Sequence, residues 1–182
     1  MIDIGGKKEG KRGLFDIDKY AKVTYVNIDK STNPDIVADA TSIPIPDECY
    51  DVAVMGEILE HLPEPVKALK ETRRLLRPGG IVLATVPFMV GIHGDPHDYG
   101  RYTETFWQKA SSDIGFKNIK IERQGTIFAV LALMVQHLFL SKNVSWRPIQ
   151  TPLVRFLMWL DKRTKNKTLT AWTTGYGIVF TK

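Results

Sequence analysis

Val52-Ala53-Val54-Met55-Gly56-Glu57 is a short apolar run that closes on an acid. The same form occurs at Met1-Ile2-Asp3-Ile4, at Val23-Thr24-Tyr25-Val26-Asn27-Ile28-Asp29 and at Ile36-Val37-Ala38-Asp39. Runs of this length, rich in β-branched residues, read as buried strands or their exits. Helix-like segments alternate with them, which predicts an α/β fold: a parallel sheet covered by helices on both faces. Such sheets bind ligands in the crevice at the carboxyl ends of their strands. Asp3, Asp29, Asp39 and Glu57 gathered there face a ligand rich in hydroxyl and amino donors and poor in negative charge. A nucleoside bearing a cationic group meets that demand.

Outward from this core, Leu14 to Tyr20 reads as a short helix and Tyr50 to Met55 as a strand. Pro63-Glu64-Pro65 opens a helix, because proline suits a first turn whose N–H groups lack partners anyway. Val66, Leu69 and Leu76 share one face of it. Arg73, Arg74 and Arg77 are expected in its last turn, where the helix dipole favours cations, and Pro78-Gly79-Gly80 is expected to stop it. Ile81 to Val86 is the next buried strand. Thr103 is expected to cap a helix that turns Phe106, Trp107 and Ala110 inward and ends near Gly115, with Phe116 packed under the turn. A further strand runs from about Lys117 to Glu122, and Gly175 to Thr181 is the last. The length of 182 residues favours one domain, 1–182.

The stretch from 127 to 167 stands apart. Ile127 to Leu140 is apolar except for Gln136 and His137, too short for a membrane span of about 20 residues. Apolar around its circumference, it has the look of a buried helix. Pro152 to Leu160 repeats apolar residues at Leu153, Phe156, Leu157 and Leu160, and Lys162-Arg163-Thr164-Lys165-Asn166-Lys167 follows. Residues 141–182 hold 8 Lys/Arg against Asp161 alone, whereas residues 1–140 hold 17 against 19 Asp/Glu. That asymmetry points to an anionic surface met by the C-terminal part, or to a solvated basic face. The expected uses of 127–167 are a helical lid, a homodimer contact or a peripheral membrane contact, the last drawing on Trp146, Trp159, Arg155 and the lysines. A lone Cys49 rules out an intramolecular disulfide and makes a reducing cytoplasm the default. Met1 leads straight into a strand, so no signal peptide is expected.

Ile2-Asp3-Ile4-Gly5-Gly6, Asn27-Ile28-Asp29, Val37-Ala38-Asp39-Ala40, Glu57-Ile58-Leu59-Glu60-His61-Leu62 and Leu76-Arg77-Pro78-Gly79-Gly80 together resemble the ordered motifs of class I S-adenosylmethionine-dependent methyltransferases, type 11 (small-molecule) branch. The resemblance covers roughly residues 1–124. It implies a doubly wound, seven-stranded Rossmann-like sheet, with 127–167 as a helical insertion before the last strand. It also implies S-adenosylmethionine as cofactor. On that resemblance, Gly5 and Gly6 approach the methionine end, and Asp3 orders their loop or meets the amino group through water. Asp29 takes the ribose hydroxyls, Asp39 with Ala40 the adenine amino group, and Glu57 to His61 lies beside the sulfonium. The glycine loop departs from the family pattern: Lys7 and Glu9 replace glycines, and Gly10 and Gly13 come later in a basic loop.

Pro87 to Tyr102 follows the fifth strand and is dense in polar and aromatic residues, as a substrate-facing loop would be. His93 or His97 can take a proton from an acceptor hydroxyl, since histidine titrates near neutrality. Asp98, Tyr99, Arg101 and Tyr102 are candidate substrate-binding residues, with an Arg–carboxylate clamp that pins the loop as their structural alternative. His93, Asp95, His97 and Asp98 lack the helix spacing that would orient metal ligands, and no metal is expected. No Asn/Asp-Pro-Pro-Tyr/Phe motif follows the fourth strand, so nucleic acid is not the expected partner despite a pI near 9.3. The expected function is methyl transfer to a small, lipid-linked or glycan-linked acceptor. A non-catalytic cofactor-binding or membrane-associated scaffold is the alternative, and a nicotinamide enzyme a weaker third.

Overall fold

A computed structural model describes residues 1–8, 21–94, 96–138 and 147–182. The helix expected at 14–20 lies outside them. In chain order the elements are β1 (Ile2–Ile4), β2 (Thr24–Asn27), β3 (Ile36–Val37), β4 (Tyr50–Gly56), α1 (Pro65–Leu75), β5 (Leu76–Pro87), α2 (Glu104–Ile114), β6 (Asn118–Gln124), α3 (Ile127–Leu138), α4 (Arg147–Arg163) and β7 (Gly175–Thr181).

These strands form one seven-stranded sheet in the order β3-β2-β1-β4-β5-β7-β6. β1 runs parallel to both β2 and β4, with Ile2 opposite Thr24 on one side and Ala53 on the other. Strand order reverses at β1, and an α/β sheet opens its ligand crevice at such a switch point. The strands that meet there need apolar residues on both faces. Ile2, Ile4, Val26, Ala53, Met55 and Val82 are all buried. β7, the last strand of the chain, inserts between β5 and β6. The expected sheet, with its late final strand, is what the chain forms.

α1 and α2 bury Leu69, Leu75 and Trp107 completely. Thr103 caps α2 by accepting from Phe106 N–H, and Gly115 ends it with a φ of 88°. Phe116 is buried beneath, under the Arg73 guanidinium. Phe106 is only half-buried, with Tyr102 stacked on it at 4.4 Å.

The end of α1 differs from the expectation. The helix stops at Leu75, and Leu76 is already extended and paired with Tyr50. Pairing then jumps to Val52 opposite Ile81, so the Arg77-Pro78-Gly79-Gly80 segment bulges out of β5 instead of stopping a helix. Burying Leu76 in the sheet outweighs another turn of helix. Arg77 consequently leaves the last turn and pairs with Asp51 at 2.8 Å. The buried side of α1 is Pro65, Ala68, Leu69, Thr72 and Leu75.

The chain divides into two compact units. One comprises Met1–Val86, His93–Ile121 and Gly177–Lys182; the other comprises Pro87–Ile92 and Glu122–Tyr176. In the second unit α3 and α4 pack together, and Thr126 ties their ends by donating from its N–H and hydroxyl to Asp161, each at 2.7 Å. α3 does not behave as a helix buried on all sides. It buries Ala129, Val130 and Ala132 but leaves Leu131, Met134 and Leu138 exposed. A helix packed on one partner shields one face. Leu153, Phe156, Met158 and Trp159 of α4 are exposed as well. Among the described residues no helix is long and apolar enough to cross a membrane.

Candidate functional site

The site is built where β1, β2 and β4 end, within the first unit. Gly5 follows β1 with a φ of 80°, a left-handed backbone that glycine adopts at no steric cost. Its N–H donates to Val26 O at 2.7 Å. A Cβ on Gly5 would lie 2.1 Å from Ile58 Cδ1, and one on Gly6 would lie 2.4 Å from Asp3 Oδ2. Neither position has room for a side chain, and the buried Asp3 carboxylate sits directly against the turn. Asn27 fixes the turn from β2, its Nδ2 donating to Gly5 O at 3.1 Å and Gly6 O at 3.0 Å. The sequence reading does not single out Asn27; an amide closing a strand next to a glycine turn is the signal it carries.

Beside this turn opens a cleft. Ile4, Val26, Ile28, Ile58 and Leu62 give it apolar walls, Gly5 and Asn27 a backbone edge, and Ala38-Asp39-Ala40 its acidic rim. Asp39 is exposed and accepts from both the N–H and the hydroxyl of Thr41 at 2.7 Å. Those hydrogen bonds hold its carboxyl below the ordinary aspartate range. Asp29, just past β2, takes the Ser31 hydroxyl and Ser31 N–H at 2.8 Å each, and these lower its pKa in the same way. Asp29 keeps a lone pair on each oxygen, and Asp39, whose two Thr41 bonds both fall on Oδ1, keeps those of Oδ2, so both acids are preset anions that can still accept from a ligand.

A second group of residues lies on the other side of Ile58. Glu57 leaves β4 with a φ of 50°, a conformation that costs a residue other than glycine about 1–3 kcal/mol. Its N–H donates to Thr85 O at 2.9 Å. A 3₁₀ turn, Leu59–His61, follows. Leu59 anchors it in the core and draws Glu60 in beside it, 1% exposed. Neither Glu60 carboxylate oxygen has a hydrogen-bond partner. Burial pushes the Glu60 carboxyl above the ordinary glutamate range, and the nearby Glu57 charge pushes the same way. Sequence reasoning selects Glu57 and His61 from this motif and misses Glu60. Its signal is an acid set between Leu59 and the apolar Leu62-Pro63.

The segment after β5 docks on that turn. Tyr99 N–H donates to Glu60 O at 2.7 Å, and His61 Nδ1 lies 2.5 Å from His97 O. A carbonyl only accepts, so Nδ1 carries the proton. The His93 ring approaches His61 edge-on at 5.2 Å. The exposed His97 ring instead packs near Tyr99 at 5.7 Å. Asp98 is 4% exposed and paired in two places with Arg101, once at 2.7 Å, and it also accepts from His93 N–H at 3.0 Å. Arg101 holds the Asp98 carboxyl far below the usual carboxylate range. The geometry of these two is that of the loop-pinning clamp. Tyr102 stacks between Phe106 and Trp107, and burial raises its pKa.

A family model for a methyltransferase domain, type 11, matches residues 10–84. Over that segment, less than half of its length, the chain is similar to type 11 methyltransferases. A demethylmenaquinone methyltransferase of Anoxybacillus flavithermus is 29% identical to it over 112 residues, 60% of this chain and 40% of that protein. The chain thus spans well under two thirds of that relative's length. A SAM-dependent methyltransferase from Archaeoglobus fulgidus superposes with a TM-score of 0.61 at 17% identity, covering 100% of this chain and 85% of that one. The [4+2]-cyclase SpnF superposes with a TM-score of 0.60 at 18% identity, covering 100% and 73%. At such identities the superpositions establish the fold. The expected fold is met, and the matched segment is similar to the expected family.

Proposed function

We propose that the chain transfers the methyl group of S-adenosylmethionine to a small or lipid-linked acceptor. The observation that carries this reading is an apolar cleft rimmed by the preset carboxylate of Asp39 and bounded by the Gly5 turn, with a second preset carboxylate, Asp29, one residue past its Ile28 wall. This donor set suits adenosine: Asp29 accepts from the ribose hydroxyls, Asp39 beside Ala40 from the adenine amino group, and the apolar walls take the purine. Gly5 and Gly6 bring their backbone to the methionine end, where Asp3 supports the turn and Glu57 and His61 add negative charge and a ring. When bound, the cofactor supplies an electrophilic methyl on a sulfonium. The protein's part is then to hold the acceptor in line with it, with His93 or His97 as the group that takes a proton, and Asp98, Tyr99, Arg101 and Tyr102 shaping the acceptor's side.

A lipid-linked acceptor is supported by the exposed apolar residues of α3 and α4 next to Lys162 and Arg163, a combination that suits a membrane interface. A relative named for demethylmenaquinone points the same way. Titration calorimetry with S-adenosylhomocysteine and with NAD tests the cofactor: tight binding of the first alone is expected, and preference for NAD overturns the reading. Turnover of labelled S-adenosylmethionine against lipid extracts separates the enzyme from a scaffold, which would bind without turnover. Co-sedimentation with anionic vesicles at low salt is expected, and its absence removes the interfacial acceptor.

A further inference from the structure

We propose that Glu60, His61 and His93 hold one divalent first-row transition cation beside the cofactor cleft. Among the described residues, these three offer one ligand atom each, all within 4.8 Å of one another. The proposal departs from the expectation of no metal, which is argued from His93, Asp95, His97 and Asp98. There the His97 ring turns to Tyr99 and Asp98 is committed to Arg101.

Three observations point to a cation. Glu60 is 1% exposed with both carboxylate oxygens lacking a hydrogen bond, and a buried charge demands a counter-charge. His61 has its Nδ1 committed to the His97 carbonyl, which leaves Nε2 as the ring atom that can meet a cation. That orientation by a backbone carbonyl is what metal-ligating histidines use. Third, Nε2 lies 3.6 Å from Glu60 Oε1, too far for a hydrogen bond of about 2.7–3.2 Å. Two ligand atoms each about 2.1 Å from a tetrahedral cation lie about 3.4 Å apart. Two acceptors therefore converge at close to chelate spacing.

His93 supplies the third ligand from the docked loop; its Nδ1 lies 3.4 Å from Arg101 Nη2 and 3.7 Å from Asp98 Oδ2, so the Asp98–Arg101 clamp serves to position it. One carboxylate and two imidazoles suit zinc, manganese or iron(II), and three protein ligands leave coordination positions open. Ile58 and Leu62, on either side of this turn, wall the cofactor cleft. The open position accordingly faces acceptor chemistry, and the class of acceptor is one with a hydroxyl. The cation lowers the pKa of the bound hydroxyl. Its proton passes to solvent, the O–CH₃ bond forms as the S–CH₃ bond breaks, and S-adenosylhomocysteine leaves as a neutral thioether. This role rests on the methyl-transfer reading; the cation site does not.

Cobalt(II) is the probe. The full chain, stripped with chelator, is expected to bind one equivalent and develop visible d–d bands of a nitrogen-ligated site. Glu60→Gln and His93→Ala should each weaken binding by at least ~10-fold, while His137→Ala on α3 leaves it unchanged. His93 is half-exposed, so His93→Ala remains informative if Glu60→Gln disturbs folding. A wild-type chain that leaves the spectrum of free cobalt unaltered overturns the proposal, as do variants that bind like wild type. Titration with S-adenosylhomocysteine reads the cofactor site separately. Cofactor binding without cobalt binding removes the cation alone; cobalt binding without cofactor binding removes the methyl-transfer reading and keeps the site.

Discussion

Asp39 and Glu60 are both carboxylates on turns just beyond strand ends, and their surroundings make them opposites. Asp39 is in water and accepts twice from Thr41 on Oδ1, which favours it as an anion and leaves Oδ2 to a ligand. Glu60 is sealed under Leu59 with neither oxygen hydrogen-bonded, which makes its charge costly. The first arrangement suits neutral donors such as hydroxyl and amino groups, since nothing needs to change when they arrive. The second suits a partner that brings positive charge. One sheet edge thus carries two kinds of acid, sorted by burial and not by sequence position.

The contrast can be broken in several ways. The largest expected effect is on cofactor affinity. Asp29→Ala with Asp39→Ala should weaken S-adenosylhomocysteine by ~100-fold or more in calorimetry, because each removes hydrogen bonds to a charged group. Glu60→Gln should change it by less than ~3-fold, because a residue with a separate ligand contributes little to that affinity. Equal losses would erase the distinction between the two acids. Next comes stability without metal, read by urea unfolding. Glu60→Gln removes a buried uncompensated charge and should stabilise the chain by about 1–2 kcal/mol. Asp39→Ala strips Thr41 of its acceptor and should destabilise it by about 1 kcal/mol. Shifts of the same sign would refute the comparison.

The smallest effect is in acid. Asp39 has a folded-state pKa below its unfolded value of about 3.9, so its contribution is complete above that pH and fades as pH falls through the folded value. The stability margin of wild type over Asp39→Ala should therefore stay constant from about pH 7 to 5 and close below about pH 4. A margin unchanged at pH 3 would show that the Thr41 contacts do not depend on the ionised carboxylate.

What the sequence makes legible follows from how local each signal is. The strand exits at Ile4, Asn27 and Gly56 and the Thr103 cap depend on a few adjacent residues, and all are found as read. The end of α1 is decided by Leu76 pairing with Tyr50, 26 positions earlier in the chain, and the local Pro-Gly-Gly signal misplaces it. Asp29 and Asp39 are visible because an acid closing an apolar run is conspicuous. Glu60 is hidden by its helical-looking neighbours: only the burial of Leu59 and the docking of Tyr99 and His97 reveal which way it faces. The exposed side of α3 is concealed by the opposite error, since an apolar composition does not state how many partners a helix has.

The contact between Gly5 and Ile58 has a consequence for how such a chain can drift. The space that a Cβ on residue 5 would need is already filled by Ile58 Cδ1, so the turn after the first strand and the turn after the fourth are one steric unit. A smaller residue at position 58 would free that space but not the left-handed backbone at position 5, where φ is 80°. Across divergent descendants position 5 should therefore stay glycine, while changes at residue 58, 53 positions later, reshape the wall of the cleft.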